Sequence, residues 1–436
     1  MRLEDIESQI KILFELWAEK KEAQDKSIDK VRYSGPVFGS EEYSSMLDAI
    51  FAGWWSGGKF TVDAESKLAV TSERNHGLLT NSGSSANLLM MSAVKELYFK
   101  DGDKILTLSC GFPTTVNPII TNKLVPLFVD IDLETLSLDP GLLEEVLKKD
   151  DKVKGIFIAH TLGFKGDIDS ILDISRKYGV QVFFDCCDAY GSTHKSQPLA
   201  SFGKASTLSF YVAHHLSCGE GGGVVTNDPE LHSTMRGFRS WGRYCASPNC
   251  CIRAKDPAMF CPQTKLTTDS KLPQDYMVNY QFEWMGYNLK PLEIQSALLL
   301  PQLDRLDEFT TIRRHNYGRL FSFMDSTDVG FRLWDLDEET SPFAFPLLIP
   351  RDAPFKRKHL VDFLTRNKIE CRMLFGGNLL KHPAYDKNRG LWDSYGSHDN
   401  ADEILEQFLM LGVSQVNHDE HIDRVIYCLE EFLNRW

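Results

Sequence analysis

The chain has 436 residues, of which 42% are hydrophobic, 25% charged and 11% aromatic, a balance that allows a large core and excludes long disorder. Its 48 Lys and Arg against 61 Asp and Glu leave a formal charge of −13, a poor footing for gripping phosphodiester backbones. No run of 18 apolar residues occurs, which argues against a spanning helix.

The N-terminal stretch is not read as a signal peptide, because Arg2, Glu4, Asp5, Glu7 and Lys11 interrupt any apolar segment. Ile6, Ile10, Leu13, Phe14 and Trp17 fall on one face of a helix instead, which predicts docking on the body of the protein or on a second subunit. Without an export signal, the ten cysteines are expected in a reducing, cytoplasmic setting, as metal ligands, catalytic groups or core residues rather than disulfides.

Strands and helices then alternate. Apolar runs predict strands at His76–Thr80, Lys104–Leu108, Leu124–Val129, Val153–His160, Val180–Asp185, Ser206–Tyr211 and Gly223–Thr226. Helices are expected over Ala86–Phe99 and near Ser170–Tyr178. Continuous apolar strands between helices predict an α/β fold whose mainly parallel sheet is buried on both faces. The irregular stretch 245–275 is too long for a simple connector. A helical segment from about Glu293 leads into a smaller α+β unit with strands Phe343–Ile349 and Glu370–Leu374 and helices Arg357–Asn367 and His421–Trp436. The division expected is a helical arm over 1–50, a large domain over 51–295 and a small C-terminal domain over 296–436.

Three segments carry chemistry. In Asn81-Ser82-Gly83-Ser84-Ser85-Ala86 a strand turns into a helix. Gly83 permits close backbone approach, and the free N–H groups and positive dipole end suit a phosphate. The plainer reading is a serine N-cap. Asp185 ends an apolar strand, where ligands of open α/β sheets gather; a buried carboxylate there needs a partner, and a cationic pyridinium nitrogen would serve. In the third segment His214-His215 precede Cys218-Gly219-Glu220-Gly221-Gly222-Gly223. This is not a dinucleotide fingerprint, because Val224 stands where G-x-G-x-x-G needs glycine and a strand follows.

In this order, from Tyr33-Ser34-Gly35-Pro36-Val37-Phe38 to Leu374-Phe375-Gly376-Gly377-Asn378, these pieces resemble the sugar aminotransferase and dehydratase family, which has the aspartate aminotransferase fold and uses pyridoxal or pyridoxamine phosphate. The resemblance implies a fold type I PLP-dependent transferase, with a mainly parallel seven-stranded sheet. It also implies that Gly83, Ser84 and Ser209 hold the cofactor phosphate, Phe112 stacks on the ring and Asp185 holds the ring nitrogen. Asn288 would reach the phosphate from the second subunit of a homodimer. Aminotransferases of the family carry their cofactor-binding lysine six residues before the Glu of Glu-Gly-Gly. Here that position is His214, and no lysine lies between Lys204 and Lys255. Imidazole moves protons but does not hold the cofactor covalently. Histidine at this position marks the 3-dehydratases, so the resemblance implies noncovalent pyridoxamine phosphate with His214 as proton shuttle and His215 structural.

One branch of the 3-dehydratases carries a 2Fe–2S cluster on a C-x57-C-x-C-x7-C pattern. Cys187 and Cys245 match its first spacing, but Ser247 breaks the second. Cys187, Cys245, Cys250 or Cys251, and Cys261 would supply four thiolates, with zinc or no metal as the other readings. The function implied is a PMP-dependent, iron–sulfur-dependent 3-dehydratase acting on a nucleotide-linked 4-keto-6-deoxyhexose in deoxysugar biosynthesis, of the kind that supplies lipopolysaccharide O-antigen. An external flavin or iron–sulfur reductase would be its partner. The alternatives are a cluster-free dehydratase that recycles its cofactor with glutamate, an aminotransferase using a displaced Lys204 or Lys165, and a catalytically dead scaffold.

Overall fold

The computed structural model describes residues 2–24, 30–244, 271–273, 276 and 280–436. The N-terminal helices are α1 (Leu3–Gln24), α2 (Ser40–Phe51) and α3 (Lys59–Thr71). The strands of the large sheet are β1 (His76–Thr80), β2 (Lys104–Leu108), β3 (Val125–Val129), β4 (Val153–Ala159), β5 (Gln181–Asp185), β6 (Ala205–Ser209) and β7 (Gly222–Thr226). Helices α4 (Gly83–Tyr98), α5 (Pro113–Thr121), α6 (Pro140–Lys149), α7 (Ile168–Tyr178) and α8 (Pro229–Arg239) connect or follow them.

These seven strands lie in the order β1-β7-β6-β5-β4-β2-β3, parallel except for β7, which is antiparallel to both neighbours. Successive residues of β5 enter opposite cores: Phe183 packs with Leu89 and Phe157 on one face, Phe184 with Ile156 and Leu208 on the other. That two-sided burial is why the strand reads as a continuous apolar run. The helices begin and end on local signals. Asp167 caps α7 by accepting from Ser170 N at 3.0 Å, and Gly179 closes it at φ 68°.

The sheet has eight strands rather than seven. The eighth, β10 (Asp393–Ser394), comes from the C-terminal region and pairs parallel with Leu127 and Phe128 of β3. The C-terminal region also contains β8 (Phe345–Leu348), β9 (Cys371–Arg372) and β11 (Phe408–Leu411). They form a three-stranded antiparallel sheet with β11 in the middle. Helices α9 (Glu293–Asp304), α10 (Leu306–Asp325), α11 (Arg357–Arg366), α12 (Asp399–Gln407) and α13 (Asp419–Leu433) complete the chain. Tyr317, Leu320, Phe345, Leu364, Leu409 and Leu429 belong to a separate core here. Helix α9 runs through the 295/296 division and packs on α2 and α3.

Helix α1 rests on α2 through Phe14 and Trp17, whose rings meet Tyr43 at 6.5 and 5.3 Å. The expected apolar stripe is only partly covered by the described residues: Leu13 is 65% and Trp17 47% exposed. Among the described residues no helix is long and apolar enough to cross a membrane.

Candidate active site

A cavity of about 730 Å³ opens at the carboxyl ends of the parallel strands, beside the C-terminal sheet. It is lined by Gly83, Ser84, Phe112, Asp185, Cys187, Ser209 and His214, so seven of the expected site residues converge although they span more than 130 positions in sequence.

The phosphate-type turn comes from tight packing between β1, α4 and β6. Ser82 caps α4 by accepting from Ser85 N at 3.1 Å. Ser84 Oγ lies 3.1 Å from Thr114 Oγ1, and Ser209 stands at the end of β6. A Cβ on Gly83 would lie 2.6 Å from Ser209 Cβ, so only glycine lets the turn and the strand end meet.

Asp185 ends the central strand β5 and is 5% exposed. Its Oδ2 accepts from Asn87 Nδ2 and from Thr115 Oγ1, both at 2.8 Å, and Oδ1 accepts from Cys187 N at 3.1 Å. Asn87 is itself fixed by Thr207 Oγ1, which donates to Asn87 Oδ1 at 2.6 Å. The carboxylate is therefore aimed and hydrogen-bonded, yet it has no cationic partner among the described residues. Phe112 is half exposed at the mouth, with its ring edge-on to Phe375 at 6.0 Å.

His214 lies in the loop after β6. Its Nδ1 is 3.7 Å from Asp188 Oδ1, too long for a hydrogen bond, and has no hydrogen-bond partner among the described residues. Burial, with the charge of Arg313 adding to it, holds the imidazole down to about 3, so the resting ring is neutral. Burial and the neighbouring Asp185 push the Asp188 carboxyl up to about 8. His215 is buried, with Nε2 3.2 Å from Ser341 O, as expected of a structural residue.

Several site residues were not anticipated. Asn87, Thr115 and Thr207 brace Asp185. Asn87 gave a usable signal, as a polar residue on the apolar face of a helix, one turn after Gly83. Asp188 adds a second, partly buried acid. Arg372 is the one Lys or Arg lining the cavity among the described residues, and its guanidinium sits 5.2 Å over the Tyr33 ring.

Other expected residues lie elsewhere. Asn288 does not line this cavity; it bridges to Ser240, and its Oδ1 accepts from Lys290 Nζ at 2.6 Å. Lys204 pairs with Asp228 at 2.6 Å, and Lys165 with Asp337 and Glu339 at 2.8 and 2.5 Å; neither lines the cavity. Cys187 does, half-buried, with its thiol pushed up by burial and by Asp185. Cys245, Cys250, Cys251 and Cys261 lie outside the described residues. Among the described residues no three His, Cys, Asp or Glu side chains are grouped to hold a metal.

Residues 37–430 match the model of the DegT/DnrJ/EryC1/StrS aminotransferase family. The chain is 38% identical to the lipopolysaccharide biosynthesis protein RfbH of Salmonella typhimurium, over 92% of this chain and 91% of that one. It is 34% identical to the dTDP-4-dehydro-2,6-dideoxy-D-glucose 3-dehydratase of Saccharopolyspora spinosa, over 92% and 86%. It superposes at a TM-score of 0.81 on a GDP-4-keto-6-deoxymannose-3-dehydratase solved with a trapped PLP-glutamate geminal diamine, at 27% identity, covering 92% of this chain and 100% of that one. The chain belongs to the DegT/DnrJ/EryC1/StrS aminotransferase family.

Proposed function

We propose that the protein is a 3-dehydratase of nucleotide-linked 4-keto-6-deoxyhexoses that uses pyridoxamine or pyridoxal phosphate. One observation carries the reading: the cavity wall presents His214 and, among the described residues, no lysine. The names of the relatives support the substrate class, since two are 3-dehydratases of nucleotide-linked keto sugars and one is a lipopolysaccharide biosynthesis protein.

The residues fit the cofactor. Gly83 and Ser84 offer the helix N-terminus, with Ser209 against it, to a phosphate. Asp185, held by Asn87 and Thr115 but lacking a cation, offers its charge to a ring nitrogen. Phe112 offers an exposed ring face at the mouth. When bound, the cofactor supplies an amine for the sugar's keto carbon and an electron-accepting ring.

The chain's own residues do the rest. Asp185 keeps the ring nitrogen protonated. With the cofactor in place, His214, neutral at rest, would be the group that takes up a proton from the carbon bearing the cofactor's amine. It returns a proton to the departing C3 hydroxyl of the sugar. Negatively charged ligands in the cavity raise the imidazole's proton affinity, which suits it to both tasks.

Among the described residues the aminotransferase reading lacks its lysine, because Lys204 and Lys165 are both engaged in ion pairs away from the cavity. The finer reading adds a 2Fe–2S cluster on Cys187, Cys245, Cys250 or Cys251, and Cys261, fed by a flavin or iron–sulfur reductase. Its support is the position of Cys187 on the cavity wall, two residues from Asp185. A cytoplasmic homodimer completes the proposal, supported by the uncovered face of α1 and by Asn288 lying off its own chain's cavity.

Assay of the protein against a panel of nucleotide-linked 4-keto-6-deoxyhexoses tests the reading. His214→Asn should lower the 3-dehydration rate by about 10²–10⁴ while cofactor binding survives. Undiminished turnover, or amination of the sugar as the main reaction, refutes it. For the cluster, anaerobic protein should be brown with about two irons per chain and lose its colour in Cys187→Ser. Colourless, iron-free protein with full activity favours the glutamate-recycling dehydratase.

A further inference from the structure

Three consecutive carbonyls in the loop carrying His214 are each held by a side chain from a distant part of the chain. Ser34 Oγ donates to Ala213 O at 2.7 Å, Arg313 Nη2 to His214 O at 3.2 Å and Gln415 Nε2 to His215 O at 3.1 Å. Residues 211–217 belong to no helix or strand. A bond from His214 N to Tyr211 O at 3.0 Å makes a turn, and Cys218 N to Phe210 O closes the base. The placement of the imidazole therefore depends on what grips this backbone from outside.

Arg313 of α10 is the centre of that grip. Its residue is 0% exposed. Nε donates to Gln415 Oε1 at 2.9 Å, Nη1 to Phe343 O at 3.0 Å and to Pro342 O at 3.3 Å, and Nη2 to His214 O. Every one of these acceptors is neutral. Tyr33 and Asp188 favour its charge without bonding it, and a buried cation with no bonded carboxylate is costly, so hydrophobic packing would be the cheaper way to fill this space. What the planar, forked guanidinium adds is fixed geometry among several acceptors. One fork ties the backbone of His214 to the backbone of Phe343. The Phe343 ring in turn lies 5.2 Å from the His214 ring and 6.1 Å from that of His215. Both the main chain and one ring face of His214 are thus referred to a single side chain.

We propose that Arg313 is a positioning residue for His214, setting where the imidazole stands in the cavity by holding its carbonyl and the Phe343 segment against it. The proposal rests on the reading of His214 as the proton-transferring group. Arg313 does not line the cavity, so it reaches the reacting groups only through these contacts and through its charge, which the Arg313→Lys exchange keeps. A lysine keeps the charge but lacks the fork, and so should not substitute.

The test uses the cofactor-loaded enzyme and its nucleotide ketosugar, with Arg313→Lys, Arg313→Met, His214→Asn and the double variant Arg313→Lys/His214→Asn. Misplacing a reacting group by about 1 Å can cost on the order of 10²-fold. We expect kcat to fall about 10- to 100-fold in Arg313→Lys, with KM within about twofold because the cavity lining is intact. Hydrogen exchange should quicken in a peptide spanning 211–218 and stay unchanged in β5. On the His214→Asn background, Arg313→Lys should cost nothing further, because the group it positions is gone.

A folded Arg313→Lys with unchanged kcat overturns the proposal, as does a loss that adds in full to that of His214→Asn. If Arg313→Met does not fold, Gln415→Met takes its place; it removes the acceptor of Arg313 Nε and the donor to His215 O, lies outside the cavity lining and should show the same kcat-selective loss. If His214→Asn turns over normally, the functional reading fails. Exchange over 211–218 then still decides whether Arg313 holds the loop.

Discussion

Gly83→Ala isolates the phosphate turn from every other part of the site. The new Cβ would stand 2.6 Å from Ser209 Cβ, 2.8 Å from its Oγ and 3.2 Å from its Cα. Carbon atoms pack at about 3.5–4.0 Å, so the shortfall is about 1 Å. Ser209 cannot relieve it by rotating, because the nearest atom is its own Cβ, fixed to a strand in the middle of the sheet. Either the turn or the strand end must withdraw. Overpacking of this kind costs about 1–3 kcal/mol, against at most about 1 kcal/mol gained from alanine's better helix propensity at the start of α4. If the turn withdraws, the cost falls on phosphate binding, about 5- to 150-fold in affinity at 1.4 kcal/mol per tenfold. Titration with pyridoxal 5'-phosphate by absorbance, beside pyridoxal without the phosphate, reads this directly. The loss should appear for the phosphate ester and be small for pyridoxal. Gly57→Ala is the control, since its nearest neighbour would be Thr61 Oγ1 at 3.9 Å. Native affinity for pyridoxal 5'-phosphate in a folded Gly83→Ala protein would refute the assignment of the phosphate to this turn.

The large sheet was legible because its strands are buried on both faces. Val182, Phe183 and Phe184 must all be apolar, whichever core they enter, and such runs stand out from amphipathic helices such as α7. Strand ends moved by at most two residues, since the pairing partner decides where a ladder stops. The strand β11 was missed: Phe408–Leu411 is a short apolar run directly after a helix, and it becomes a strand by pairing with β8 and β9 from other parts of the chain. The two-residue β10 has no period at all and exists only because the edge of β3 is free. The site shows the same division. Gly83, Asp185 and His214 sit in recognisable local frames. Asn87, Thr115 and Arg313 act through contacts made by folding, and a lone polar residue in a helix does not announce its partner. The face of α1 was read correctly as apolar, but a stripe on a helix does not say which surface covers it.

Removing the charge that Asp185 offers should be costly even though Asn is isosteric. Asp185→Asn leaves an amide facing the donors Asn87 Nδ2 and Thr115 Oγ1, and we expect pyridoxamine phosphate to bind about 3–5 kcal/mol more weakly by calorimetry. Affinity within twofold of the native protein would refute the ring-nitrogen role. A last prediction concerns stability away from the site. Burial pulls the Asp228 carboxyl up, but hydrogen bonds from Lys204 and Tyr98 outweigh it and hold the group well below the usual carboxylate range. A depressed folded pKa stabilises the protein above the unfolded value of about 3.9, and that stabilisation drains away as pH falls towards the folded value. Tyr98→Phe removes one of the two side-chain donors, leaving the N–H groups of Glu230 and Leu231 in place, so urea denaturation at pH 7 should show a loss of about 1 kcal/mol, the size of a hydrogen bond at a partly exposed group. Because the unfolded value is common to both proteins, the gap should hold from pH 7 to about pH 3 and narrow only as the pH approaches the folded values, where Asp228 takes up its proton. A loss at pH 7 that persists in full on an Asp228→Asn background would mean that Tyr98 contributes through packing beneath the Lys204 ammonium, 5.1 Å above its ring, and not through the carboxylate.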